Sequence, residues 1–158
     1  MPAVVSSNSS VRAVTQGVTN PSTPPSQLVA LTDGEGNIGG AQDIVLLTQV
    51  GATTTQASPD QVNVNGRGVK VVLDMTAVGT GSVTLTIQGK DSASGKYYTI
   101  LAGAAVVTNV TNVYSVYPGA PVTANVSAND ALPHTWRVLA TANNANPASY
   151  TVGASVLP

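Results

Sequence analysis

Val83-Thr84-Leu85-Thr86-Ile87-Gln88 decides the fold. Apolar and polar residues alternate strictly over these six positions, and the apolar ones are large or β-branched. A period of two places successive side chains on opposite faces of a strand, so Val83, Leu85 and Ile87 form one buried row. The preceding segment follows the same rule. Val69, Val71, Leu73 and Met75 alternate with Lys70, Val72, Asp74 and Thr76, and Gly79-Thr80-Gly81 turns the chain between the two.

Working outward, more short strands appear with turn signals between them. Toward the N-terminus lie the apolar run Ile44-Val45-Leu46-Leu47-Thr48-Gln49-Val50, the polar β-branched stretch 52–57, and short Gln61-Val62-Asn63-Val64 before an Asn65-Gly66 turn. Toward the C-terminus the predicted strands are 97–102, 104–107, 113–117, 122–126 and 135–142, with Tyr150, Val152, Ala154 and Val156 closing the domain. Pro118-Gly119-Ala120-Pro121 ends the strand before it, because proline cannot donate to a central ladder. Strands recur roughly every 10 to 15 residues, and no 12-residue stretch carries the helical period of about 3.6; that pattern belongs to sandwiches and jelly rolls. The expected fold is all-β: an antiparallel β-sandwich or jelly-roll-like domain over 41–158, preceded by an extended N-terminal arm and short hairpin or linker over 1–40. Trp136 is expected to fill the space between the sheets, with an exposed aromatic platform as the alternative.

The arm is read from loop formers. Ser6-Ser7-Asn8-Ser9-Ser10 and Asn20-Pro21-Ser22-Thr23-Pro24-Pro25-Ser26 leave Val11, Val14 and Val18 too sparse for a core. It is either a disordered tail or a segment that orders on a neighbouring subunit. Leu28-Val29-Ala30-Leu31 then runs into the turn signals Asp33-Gly34 and Gly36-Asn37.

Composition argues against a reactive site. The 158 residues include one His, one Glu, no Cys, and only 8% charged residues against 42% hydrophobic ones. The six cations Arg12, Arg67, Lys70, Lys90, Lys96 and Arg137 are scattered through a chain of net charge −1, whereas nucleic-acid binding needs clustered charge. No apolar run reaches the roughly 18 residues of a membrane helix. The N-terminus lacks the basic and apolar regions of a signal peptide. A free monomer keeps more surface charge than this for solubility, so part of the surface is expected to be covered by a partner.

Individual candidates read weakly. His134 with Ser115 and Asp74 or Asp130 lacks a nucleophile-elbow motif. Asp33-Gly34-Glu35-Gly36-Asn37 resembles the start of a calcium loop, but Ile38 stands where glycine is needed and no acid follows at the twelfth position. Asp33, Glu35, Asp43, Asp60, Asp91 and Asp130 fall in or beside turns, where carboxylates cap backbone amides. Mid-strand Asp74 is expected to face solvent or to pair with a residue such as Lys90. Gly66-Arg67-Gly68 and Gly79-Thr80-Gly81 lack the following helix of a phosphate loop. Tyr97-Tyr98, Tyr114 and Tyr117 offer a partial sugar-binding strip, divided between faces by the alternation. No catalytic, cofactor or metal site is expected.

Several stretches carry a family resemblance. They are Ser58-Pro59-Asp60-Gln61-Val62-Asn63, Arg67-Gly68-Val69-Lys70-Val71-Val72-Leu73-Asp74-Met75-Thr76, Gln88-Gly89-Lys90-Asp91, Ser94-Gly95-Lys96-Tyr97-Tyr98, Tyr114-Ser115-Val116-Tyr117-Pro118-Gly119, Leu132-Pro133-His134-Thr135-Trp136-Arg137-Val138 and Val152-Gly153-Ala154-Ser155. Together they resemble a β-domain of tailed-bacteriophage virions, most like a capsid decoration (cement) protein. The first of these, with Leu31-Thr32-Asp33-Gly34-Glu35-Gly36-Asn37, also looks like linkers of head-decoration and fibre proteins.

The resemblance implies a non-enzymatic structural protein, made in the host cytoplasm and mounted on the capsid exterior. Its implied partners are the major capsid protein and neighbouring copies of itself, in a homo-oligomer with a trimer favoured; nucleic acid and membrane are not among them. The alternative is a receptor- or carbohydrate-binding module of a head or tail fibre.

Overall fold

The computed structural model describes residues 42–158, and these are all-β. The arm and hairpin expected over 1–40 lie outside the described residues. Ten strands follow in chain order: β1 (Gln42–Ala52), β2 (Gln56–Ala57), β3 (Gln61–Val62), β4 (Gly68–Ala77), β5 (Val83–Lys90), β6 (Tyr97–Val106), β7 (Thr111–Val116), β8 (Ser127–Ala128), β9 (Thr135–Ala142) and β10 (Ala148–Leu157). The first sheet runs β1-β10-β4-β7-β8; the second runs β2-β9-β5-β6, with β3 also on β9. All pairings are antiparallel except the short parallel β7–β8 contact.

β2 and β3 both pair with β9 and act as one interrupted strand. Setting two-residue β8 aside leaves eight strands, ordered 1-8-3-6 in one sheet and 2-7-4-5 in the other. Only β5 and β6 are consecutive strands within one sheet; every other connection crosses between sheets. That is the double Greek key of a jelly roll.

The alternation read from the sequence becomes the core. Val69, Val71, Leu73 and Met75 of β4, with Tyr150 and Val152 of neighbouring β10, form one core with Val83, Leu85 and Ile87 of β5 and Trp136 and Val138 of neighbouring β9, all essentially inaccessible. Burying each large side chain contributes about 1.5–3 kcal/mol, which explains why these rows fix the sheet faces. Trp136 lies in this core, as expected. Its indole N–H has no hydrogen-bond partner among the described residues.

Departures from the expected strands have local causes. The predicted strands 97–102 and 104–107 are one strand, β6: pairing with β5 resumes on both sides of Gly103, which sits at one of two register shifts that interrupt the ladder without ending the strand. Gly103 is needed for packing: a Cβ there would come within 2.6 Å of the Tyr114 ring. The expected strand 122–126 is instead a looped connection. Pro121 removes a donor, Val126 N donates to Thr123 O (3.0 Å), and Asn125 takes a left-handed φ of 62°. In β1, Leu46 and Leu47 are both buried because the register shifts between Val45 and Leu47; such a bulge places two neighbours on one face.

Candidate interaction surfaces

The reactive residues singled out in the sequence are not assembled. The exposed His134 has Nδ1 only 3.4 Å from Thr135 Oγ1 and no hydrogen bond to a carboxylate or to Ser115 among the described residues. Asp74 accepts from Thr111 Oγ1 at 2.7 Å, and Asp130 from the Ala131 amide at 2.8 Å. The suggested Asp74–Lys90 pair is therefore corrected. Asp74 is on β4 of the first sheet, Lys90 is on β5 of the second, and Lys90 binds Asp60 instead. No group of three or more His, Cys, Asp or Glu side chains is placed to hold a metal among the described residues. The calcium-like stretch 33–37 lies outside them.

The tyrosines do not form a strip. Tyr114 and Tyr150 are buried, and burial pushes both phenols above their ordinary pKa. Tyr117 donates to Pro158 O at 3.0 Å on the first-sheet side, whereas Tyr97 and Tyr98 belong to β6 of the second sheet.

Two surfaces remain. The first is an open groove of about 410 Å³ where β6 of one sheet meets β7 of the other, lined by valines and alanines together with Thr108, Asn112 and Asn125. Residues 104–107 at the end of β6, Val110 and Val113 at the start of β7, and the 124–126 loop line it. None of its lining residues is charged. Val107, Val110, Val113 and Val126 are each 41–58% exposed, and Val122 on the same loop is 73% exposed. Asn112 lines the groove, and its buried Nδ2 has no hydrogen-bond partner among the described residues. An exposed apolar patch with an unsatisfied donor has the character of an interaction surface.

The loop rim is built by its own sequence. Ser127 Oγ donates to Pro121 O at 2.6 Å and accepts from Thr123 N at 3.0 Å, folding the loop on itself. Ser115 N donates to Val126 O at 2.9 Å, which holds the rim against β7. Sequence reasoning missed this site because Val106, Val107, Val113 and Val126 sit in segments that read as ordinary strands and Val110 stands alone between two of them.

The second surface is a polar network on the outer face of the second sheet. Lys90 Nζ donates to Asp60 Oδ2 at 2.7 Å, and the Tyr97 hydroxyl donates to Asp60 Oδ1 at 2.7 Å. Arg137 lies over the Tyr97 ring, 3.3 Å from its centroid, and its Nε donates to Gln88 Oε1 at 2.9 Å. Cross-strand register brings these groups together: Gln88 is opposite Arg137, and Lys90 is opposite Tyr97. The bonds from Lys90 and then Tyr97 hold the Asp60 carboxyl below its ordinary pKa, and Asp60 in turn raises that of Lys90. Asp60 was expected only as a turn cap; its partners are about 30 residues or more distant in sequence, so no local signal marked them.

Comparison with known proteins finds no matching family model and no curated relative. The class defined by the fold is that of jelly-roll β-sandwich proteins.

Proposed function

We propose that this chain is a non-enzymatic structural protein of a phage virion, a capsid decoration (cement) protein. It binds the outer surface of the major capsid protein shell and stabilises it. The observation that carries this reading is the uncharged valine groove, open at the margin of a charge-poor jelly roll. Such a surface gains by being covered, at about 25 cal/mol per Å² of apolar area removed from water. Jelly rolls occur in viral shells and in lectins, so the fold supports the reading by analogy only.

On a shell, many identical weak contacts act together, so modest affinity per copy suffices. Copies join as a symmetric oligomer, with a trimer favoured, over capsomer junctions. The Pro- and Ser-rich residues 1–40 serve as an extended arm across a neighbour, adding a strand to a free edge or filling a groove.

The test is co-sedimentation with mature, expanded capsids that lack the protein, using full-length chain and residues 29–158 in parallel. Saturable binding at a fixed ratio to the major capsid protein, weakened by loss of the first 28 residues, is the expected result. Unchanged occupancy on truncation overturns the role of the arm. Absence of binding by the full-length chain overturns decoration and points to the fibre module, which a glycan screen then examines.

A further inference from the structure

We infer that the outer face of the second sheet is a protein-contact surface on which Arg137 receives a single carboxylate, an Asp or Glu side chain of the partner. The Arg137 guanidinium is stacked on Tyr97 and its Nε is tied to Gln88, which fixes the plane of the group. The terminal nitrogens have no hydrogen bond or ion pair among the described residues. A planar guanidinium with two free parallel donors matches a carboxylate bidentately, and one already immobilised loses little entropy on binding.

The neighbouring charges define the ligand. Asp60, the carboxylate nearest in this network, has both oxygens engaged, one by Lys90 and one by Tyr97. It also neutralises Lys90, so the network of Arg137, Lys90 and Asp60 carries one net positive charge. That balance suits a monoanionic carboxylate better than a phosphate dianion. Three of the chain's thirteen Asp, Glu, Lys and Arg residues (6 + 7) meet here, in a chain otherwise sparing of charge.

A sugar acid would offer the same carboxylate, but the arrangement favours a protein. Sugars are held by stacking on open aromatic faces, and here the guanidinium occupies a face of the Tyr97 ring. A sheet face bearing a rigid Arg–Tyr pair has the composition of a protein-interface anchor. Under the decoration reading the partner is a shell subunit. The inference rests on that reading only for the partner's identity.

The experiment follows the Arg137 Nε–Hε signal of the full-length chain by NMR, assigned by its loss in Arg137→Lys. The probes are a short glutamate peptide, its glutamine counterpart, and glucuronate. The expected result is a saturable shift with the glutamate peptide, absent with glutamine and smaller with glucuronate. No shift with any probe, or equal shifts with glutamate and glutamine, overturns the inference. A shift with glucuronate alone overturns it in favour of a sugar ligand.

A second arm measures capsid co-sedimentation of Arg137→Gln, with its melting curve as the check on folding. An unchanged melting temperature with affinity reduced at least about tenfold is expected for an interfacial anchor. Unchanged affinity overturns the capsid role of Arg137. Failure of the unaltered chain to bind capsids removes the decoration reading while the peptide titration still decides the carboxylate site.

Discussion

Strand β9 and the β6–β7 margin are both rich in small apolar residues, yet they have opposite fates. In β9, Trp136, Val138 and Ala140 are sealed between the sheets. At the margin, Val107, Val110 and Val113 remain open to solvent around a groove. The difference is neighbours and facing. β9 is flanked by β5 on one side and by β2 and β3 on the other, whereas β6 pairs only with β5, and Val113 of β7 lies in the outward row of its strand, next to inward Tyr114. An apolar residue is buried when the topology supplies a layer over it, so hydrophobicity alone does not separate core from contact surface.

The largest effect is expected in the core. Trp136→Ala should cost about 3–5 kcal/mol, the usual range for removing a large buried aromatic, read from urea denaturation. A loss below about 1 kcal/mol would mean that the sheets are not packed through this residue. Next in size is Gly103→Ala, which drives a methyl group toward the Tyr114 ring at the boundary between core and groove. Overpacking there should cost about 1–3 kcal/mol, measured the same way; a neutral result would show that the groove wall yields.

The Asp60 network gives a smaller effect with a defined sign. The Asp60 carboxyl is held below its ordinary pKa by Lys90 and Tyr97. Its contribution to stability is therefore complete above the unfolded-state pKa, near the ordinary value of 3.8, and is lost as pH falls through the lower folded value. Asp60→Asn should slightly lower the melting temperature at neutral pH, and the gap to the unaltered chain should close at the acid end. Because the Lys90–Asp60 pair is solvent-exposed, the gap should also shrink in high salt. A gap that is independent of pH would assign the effect to packing instead.

Smallest of all for stability is Val113→Ser in the groove, expected to change folding by no more than about 0.5 kcal/mol. In the capsid assay, unchanged folding with weakened binding marks the groove as a contact surface. Substantial unfolding would instead place Val113 with the core.

Much of this division was legible in the chain. Alternation in 69–75 and 83–88 assigned the inward rows, and strand 135–142 and the inward row through Tyr150, Val152, Ala154 and Val156 appear in the structure as expected. The loop over 122–126 was misread because Val122 and Val126 suit a strand, while Pro121 and the Ser127 hydrogen bonds hold a turn. The Asp60–Lys90 pair was missed because its two residues are 30 positions apart and meet only through sheet register.

By itself, then, the sequence determined the all-β class, the period-two faces and most turn positions, since these depend on neighbouring residues and on which side chains leave water. Tertiary structure alone decided the jelly-roll strand order, the exposure of the groove valines and the meeting of Asp60, Lys90, Tyr97, Gln88 and Arg137. Those features depend on contacts between distant segments, and the local free energies of the separate strands are indifferent to which strand becomes their neighbour.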